Sequence, residues 1–143
     1  MNDLEIGQVL WLRIRFNNEG TVSNVKHPYL IVDIDEEFET IEVAQMDSLQ
    51  GKEFKAAMRS NKVVYVDDPS ETVITKDSYV QLDNSFQIEN FRSLSQYRRV
   101  TDKLSGEKLQ GVLRAYKMYH EQHHISENKQ VFMNKSEIEK LNA

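Results

Sequence analysis

The chain has 143 residues, a formal net charge of −5 and no cysteine. This length is sufficient for one domain with its own hydrophobic core. The absence of cysteine excludes a thiol nucleophile, a thiolate zinc site and a disulfide scaffold. The negative charge argues against a protein that coats nucleic acid with its whole surface, because such proteins are strongly basic.

The hydropathy of the chain gives no sign of a membrane segment. No stretch approaches the roughly 18 apolar residues that a membrane-spanning helix needs. The acidic residues 1–5 lack the basic and then apolar order of a signal peptide. We therefore expect a soluble, cytoplasmic protein with no membrane partner.

The first two thirds of the chain alternate between short apolar runs and polar turns, which is typical of β-structure. Residues 9–16 end in strict alternation, with Leu12, Ile14 and Phe16 on one face, and this predicts a half-buried strand. The run at residues 29–32, with Pro28 at its entrance, predicts a central strand. Further strands are predicted at residues 40–44, 62–66, 78–82 and 87–91.

Two charged clusters lie between the predicted strands. Five carboxylates between Asp33 and Glu39 predict an acidic hairpin loop. The polar residues 50–61 predict a loop or short helix, and this region carries the basic cluster Lys52, Lys55, Arg59 and Lys62, offset only by Glu53. An enzyme that holds a few nucleotides needs such a local cluster rather than a high overall isoelectric point.

The last third of the chain changes to helical periodicity. Four apolar residues recur at the spacing i, i+3, i+4 and i+7, namely Leu109, Val112, Leu113 and Tyr116. This spacing predicts an amphipathic helix. Ser105 is the expected N-cap, Glu107 stabilises the first turn, and the helix is expected to end near residues 120–124.

The segment after this helix is polar. From Ser126 onwards we predict a linker and then a short helix, where Ser136 and Glu139 have the spacing of a capping box. The pattern predicts a mainly β (α+β) fold, with a small barrel-like sheet and its helix in residues 1–124 and a polar extension in residues 125–143.

Five short motifs, in this order, resemble those of the MazF/PemK family of toxins. Ile6-Gly7-Gln8-Val9-Leu10-Trp11 is similar to the family's Gly-Asp-Ile-Val strand, and Lys26-His27-Pro28-Tyr29-Leu30-Ile31-Val32 to its Lys-Arg-Pro element. Residues 41–48 resemble a strand that ends in small hydroxyl residues. Residues 76–83 resemble the family's Lys-Asp-Ser strand, and residues 103–105 its Gly-Lys-Leu-Ser helix start.

The resemblance covers roughly residues 5–120 and carries expectations about fold and function. It implies a small SH3-like barrel with a C-terminal amphipathic helix, a homodimer, cleavage of single-stranded RNA and an antitoxin that blocks the RNA groove. The family usually has an arginine before the proline, placed to stabilise charge on the attacked phosphate. Here His27 occupies that position, and a histidine lacks the permanent, forked donor set of an arginine.

Metal-free cleavage of RNA uses the ribose 2′-hydroxyl as the nucleophile and requires a base, an acid and donors to the phosphate oxygens. His27 is the candidate acid or base, because an imidazole exchanges a proton near neutral pH. Lys26 would add positive charge, and Asp47 or Ser48 matches the region of the family's Thr/Ser partner. Such a site needs no cofactor. The candidate contacts to the RNA backbone are Lys52, Lys55 and Arg59.

Each of these candidates also has an ordinary structural interpretation. His27 fits a surface histidine beside a turn proline, and Asp47 and Ser48 fit turn-forming residues at the end of a strand. The basic cluster fits a solvated face. A non-catalytic module that binds RNA or protein on the same barrel is therefore a second hypothesis.

A third hypothesis comes from His120-Glu121-Gln122-His123-His124, which fits the H-E-x-x-H pattern. On a helix, His120 and His124 would share one face as zinc ligands, with Glu121 as a general base. A third ligand would be Glu127, Glu137 or Glu139. A polar helix end, with histidines favourable at the C-terminal dipole, accounts for the same residues, and the sequence favours it over a zinc peptidase.

Overall fold

The computed structural model describes residues 2–68, 70–104 and 106–143. Within these ranges the chain forms seven strands and two α-helices, together with short 3-10 turns. The strands are β1 Val9–Leu12, β2 His27–Asp35, β3 Thr40–Ser48, β4 Asn61–Val64, β5 Ser78–Gln81, β6 Ser85–Glu89 and β7 Gln130–Met133. The helices are α1 Gly106–Gln122 and α2 Lys135–Leu141.

The sheet is built around the long strand β3. One edge of β3 pairs with β2, which in turn pairs with β1, and all of these pairings are antiparallel. Along its other edge, β3 pairs first with β6 and then with β5, which carries β4. β7 adds to β6 in parallel. The mainly β class is confirmed, and in the described ranges the hydrogen-bonded sheet is not closed.

Alternation along the strands divides the core into two clusters. Tyr29 and Ile31 of β2 belong to the first cluster, together with Phe86 of β6. Leu30 of β2 faces the opposite way and belongs to the second cluster, which the apolar face of α1 covers. Because successive side chains of a strand point to opposite faces, both faces of this sheet are buried over much of its area.

The segment 125–143 is integrated into the fold. Residues 130–133, which we expected to be a polar linker, form β7, so that part of the prediction is wrong. Val131, Met133 and Ile138 are buried in the first cluster. The Asn142 carboxamide closes the contact, accepting a hydrogen bond from the Arg13 N–H at 2.7 Å and donating to the Arg13 carbonyl at 3.0 Å.

The helix ends agree with the predictions only in part. Glu107 lies in the first turn of α1 as expected, whereas Ser105 lies outside the described residues. The predicted capping box of α2 is wrong. The cap is Asn134, whose side chain accepts a hydrogen bond from the Glu137 N–H at 2.9 Å.

The two charged loops lie where the sequence places them. β2 continues to Asp35, and a turn at residues 36–39 joins it to β3, with Glu39 in the left-handed region at φ 52°. The basic segment contains a 3-10 turn at Glu53–Ala57. In the described part of the chain, no helix is long and apolar enough to cross a membrane.

Candidate nucleic-acid interface

A cavity of about 270 Å³ opens at the end of the sheet where β2 begins and β3 ends. Three of the four candidate catalytic residues, His27, Asp47 and Ser48, line it. The other lining residues are Val9, Trp11, Pro28, Met46, Val73, Ile74, Thr75, Lys76, Ser78 and Arg99. The β2–β3 pairing, which aligns Tyr29 with Gln45, brings these strand ends together.

Lys26 does not line this cavity. It borders an adjoining depression of about 350 Å³, which shares Trp11 and Arg99 with the first. The two depressions lie side by side at Trp11, which is 41% exposed, and together they are called the groove across Trp11. Lys26 therefore stays near the site, but on the far side of the tryptophan.

The strand alternation separates the candidate side chains between the two faces of the sheet. Ser48 shares the face of Met46, which belongs to the second core cluster and lines the cavity. His27 and Asp47 have the opposite parity, and their side chains lie on the face of Tyr29. This end of the sheet therefore presents Ser48 on one face and the His27 ring on the other.

A neighbouring hydroxyl fixes the direction of the His27 ring. His27 Nε2 lies 3.0 Å from Ser23 Oγ, and the ring centroid lies 6.2 Å from that of Phe16. Among the described residues, Nδ1 has no hydrogen-bond partner. The imidazole is therefore half-buried, held at one nitrogen and open at the other.

Both oxygens of the Asp47 carboxylate already have partners. Asp47 Oδ2 lies 2.6 Å from Lys52 Nζ, and Oδ1 accepts a hydrogen bond from the Ser48 N–H at 2.8 Å. This partner raises the pKa of Lys52. Ser48 Oγ in turn accepts a hydrogen bond from the Gln50 N–H at 3.1 Å, which leaves its own proton to donate. Asp47 is therefore better suited to hold the turn than to act as a base.

The predicted RNA-binding cluster is divided by the fold. Lys52 lies at the site through its ion pair with Asp47. Lys55 lies over the Phe54 ring, 5.4 Å from its centroid, and Arg59 is exposed. None of the three lines the cavity itself, and only Lys52 contacts a residue that does.

The sequence analysis missed Arg99. Its guanidinium carbon lies 5.4 Å from the centroid of the Trp11 ring, and its backbone N–H donates to the Val9 carbonyl at 2.8 Å. Among the described residues, no carboxylate lies within salt-bridge distance of Arg99, whereas its neighbour Arg98 pairs with Asp3 at 3.0 Å. Only the Arg98-Arg99 pair marks this position in the sequence, and nothing in its spacing links it to Trp11.

The geometry does not support the zinc-site alternative. α1 ends at Gln122, so His124 lies beyond the helix and does not share a helical face with His120. The His120 Nε2 lies 2.8 Å from the Leu82 carbonyl oxygen, and the ring stacks on Tyr116 at 4.1 Å. In the described part of the chain, no three histidine or carboxylate side chains are grouped as metal ligands. His120 fastens α1 to the sheet.

The groove defines a class of site: an exposed tryptophan beside an unpaired guanidinium, with lysines and hydroxyl groups at its edge. Aromatic faces and cations of this kind hold single-stranded nucleic acids, since bases stack and phosphates pair with the charges. No protein-family model matches this sequence, and a search of curated proteins finds no match. The functional assignment therefore depends on the groove and on the short motifs.

Proposed function

We propose that this protein is a metal-independent endoribonuclease that cleaves single-stranded RNA, and that it acts as the toxin of a toxin–antitoxin pair. One observation carries the proposal: His27, Asp47 and Ser48, from two separate motifs, border a single cavity together with Arg99. The order of motifs that resembles MazF/PemK toxins supports the same activity.

RNA binding is assigned to the groove across Trp11. The exposed indole provides a face on which one base stacks, and the Arg99 guanidinium beside it reaches the adjoining phosphate. Lys76 and Lys26 extend the positive charge on either side. These contacts do not depend on the RNA sequence, because every base has an aromatic face and every nucleotide has a phosphate.

Cleavage begins with attack of the ribose 2′-oxygen on the adjacent phosphorus, which breaks the bond to the 5′-oxygen and leaves a 2′,3′-cyclic phosphate. His27 takes the proton of the 2′-hydroxyl through Nδ1 and returns a proton to the leaving 5′-oxygen. Because its ring lies on the opposite face of the strand end from Ser48, this step requires the RNA backbone to pass around this end of the sheet. The Ser48 hydroxyl donates to a phosphate oxygen, and Arg99 supplies the forked donors that His27 lacks.

The finer architecture belongs to the same proposal. β1 and β7 are both edge strands of the sheet, and Arg15, which follows β1, donates a hydrogen bond to the Phe132 carbonyl of β7 at 3.0 Å. This contact supports an SH3-like barrel in which a side chain joins two strands that do not pair within the described residues. We further propose a homodimer, with an antitoxin that covers the groove.

A second candidate is an RNA-binding module that does not cleave. The 2.6 Å ion pair between Lys52 and Asp47 favours it, because the pair removes one carboxylate from proton transfer. The two candidates predict the same binding surface and differ only in whether the RNA is cut.

The decisive experiment incubates the purified chain with single-stranded RNA in EDTA. Fragments ending in 2′,3′-cyclic phosphate are expected. Arg99→Ala should lower kcat by at least about 100-fold, as removal of one transition-state donor does in other sites. Arg99→Lys should recover only part of this loss, since an ammonium lacks the fork. Arg92→Ala, which removes an exposed arginine elsewhere, is the matched control.

The outcomes separate the candidates. If RNA binds, if Arg99→Ala weakens that binding and if the RNA is not cut, the binding module replaces the nuclease. Cleavage that persists at the wild-type rate in His27→Ala would remove His27 from the mechanism. RNA that neither binds nor is cut would overturn the proposal as a whole.

A further inference from the structure

A second cavity, of about 380 Å³, lies on the face of the sheet to which the His27 side chain belongs. It is placed between β3, the β5–β6 turn and the C-terminal segment, and the proposed cleavage step does not use it. Phe16, Gln45, Gln81, Asn84 and Asn128 supply most of its lining. Asn128 belongs to the segment beyond the motif resemblance, so this cavity depends on a part of the chain that those motifs do not cover.

Gln45 is the central feature of this cavity. The residue is only 9% exposed, and it lines the cavity. Its nitrogen and oxygen are not among the fully buried polar atoms of the described residues that lack a partner, so they are accessible from the cavity. Gln45 thus presents donor and acceptor groups to whatever occupies this space.

A second buried polar group lies beside it. Tyr29 is the cross-strand partner of Gln45 and is fully buried. In the described part of the chain its hydroxyl has no hydrogen-bond partner. Its ring lies edge-on against Phe86, which lines the cavity, at 6.2 Å between centroids. Tyr29 does not itself line the cavity, so the polar groups open to a ligand are those of Gln45 and the rim.

The rim is polar but electrically balanced. Lys129 Nζ lies 3.0 Å from Asp83 Oδ2, so the two charged residues compensate each other. Gln81 Oε1 accepts a weak hydrogen bond from Asn84 Nδ2 at 3.4 Å. Burial raises the pKa of Tyr79, and a hydrogen bond between the Gln81 side chain and the Tyr79 hydroxyl partly offsets this rise. A charged ligand would find no free counter-charge here, and an apolar one would leave Gln45 unbonded.

We infer that this cavity binds a nucleobase, with its hydrogen-bonding edge on Gln45 and Gln81 and its ring against Phe16. A carboxamide offers one donor and one acceptor in a plane, which matches the edge of a base. Stacking on an aromatic ring together with edge hydrogen bonds is how proteins hold unpaired bases.

The base has two chemical sources: a free nucleotide, or one residue of an RNA strand. The second source rests on the proposed function, whereas the first does not. The Phe16 ring lies 6.2 Å from the His27 ring, so a base in the cavity of an RNA complex would sit close to the proposed proton-transfer group. In that case the cavity selects the nucleotide at which RNA is cut.

The test follows the side-chain amide signals of Gln45 by NMR in the full chain. The probes are the four ribonucleoside 5′-monophosphates, and then a short oligoribonucleotide with and without an abasic position. At least one probe should shift these signals, and Gln45→Leu should weaken its binding by tenfold or more. Gln87→Leu, which removes an exposed glutamine of β6, should leave binding unchanged. Gln81→Leu, at a less buried position, tests the same site if Gln45→Leu does not fold.

The results identify the source of the base. A shift with a monophosphate and none specific to RNA would assign a free nucleotide. A shift that only intact RNA produces, and that the abasic strand loses, would assign an RNA residue. Gln45 signals unchanged by all probes, or Gln45→Leu and Gln81→Leu binding as the wild type does, would overturn the inference.

Failure of this inference differs from failure of the proposed function. If Gln45→Leu cleaves RNA at the same positions as the wild type, the base site is removed and the nuclease is kept. If the wild type binds a nucleotide, Gln45→Leu loses that binding, and neither protein binds or cuts RNA, the base site is kept and the nuclease is removed.

Discussion

Two buried tyrosines differ in the state of their hydroxyl groups. Tyr116 OH donates to the Glu42 carboxylate and to the Asn84 carbonyl at 3.2 Å, and so ties α1 to β3. Tyr29 OH has no partner in the described part of the chain. Burial raises the pKa of both phenols, and for Tyr116 the Glu42 carboxylate raises it further. Both side chains therefore stay protonated in the folded protein.

This difference predicts opposite effects of one substitution. Tyr116→Phe should lower the free energy of unfolding by about 1–3 kcal/mol, because Glu42 and Asn84 lose their donor. Tyr29→Phe should leave it unchanged or raise it, because only an unbonded hydroxyl is removed. Urea denaturation of the two variants at neutral pH measures both effects, and the reverse order would contradict the assigned contacts.

The same substitutions carry a pH dependence. The ordinary pKa of tyrosine is 10.0, and the folded values are raised, so above that pH the unfolded chain releases protons that the folded chain retains. The stability linked to these groups is complete below about pH 10 and declines as the pH rises further. Each Tyr→Phe variant should flatten this decline, and an unchanged slope in both would show that neither phenol is protected.

At the scale of elements, the C-terminal segment completes the sheet rather than extending from it. β7 covers the outer edge of β6 and contributes Val131 and Met133 to the core. α2 then seals the same cluster with Ile138. A segment that is polar by composition is thus held by three buried side chains and by the Asn142 hydrogen bonds to Arg13.

The cap of α2 gives a sharp prediction at this scale. Asn134→Ala should lower the free energy of unfolding by about 1 kcal/mol, because the Glu137 N–H loses its acceptor. Ser136→Ala, the matched change at the position that the sequence pattern favoured, should alter it by less than about 0.5 kcal/mol. Thermal or urea unfolding of both variants distinguishes the two caps, and a larger loss in Ser136→Ala would contradict the assignment.

At the scale of the whole molecule, the charge is unevenly distributed. The net charge is −5, yet Lys26, Lys76 and Arg99 follow the groove across Trp11. Local cations attract RNA while the acidic remainder repels it, so binding should be weaker and less dependent on salt than in a basic protein.

Salt dependence tests this distribution. With three phosphate contacts, the logarithm of the binding constant for single-stranded RNA should fall with log salt at a slope of about −2. Lys26→Ala should make the slope shallower by about 0.7, since one counterion fewer is released. Lys117→Ala, on the exposed side of α1, is the control. Equal slopes in all three proteins would remove Lys26 from the interface.

The sequence alone determined the class of the fold and the position of most of its elements. Six strands and α1 were predicted at positions that overlap the observed elements, because hydrophobic periodicity over neighbouring residues sets which face of an element is buried. The bounds are less accurate: β1 ends at Leu12 rather than residue 16, and β3 continues to Ser48 rather than ending at residue 44. β7 was missed because its four residues carry too short a pattern, and its burial depends on pairing with the distant β6. The cap of α2 was misplaced because two candidate residues lie two positions apart, and only the hydrogen bond distinguishes them.

Only the tertiary structure decided the composition of the candidate site. The sequence named His27, Asp47 and Ser48, which the β2–β3 pairing brings to one cavity. It could not show that Lys52 forms an ion pair with Asp47, or that Lys26 borders the other depression beside Trp11. Arg99 and Gln45 were not predicted at all. Local patterns govern which side chains a short element buries. The contact of Arg99 with Trp11 and the position of Gln45 at the second cavity are instead set by segments far apart in the chain.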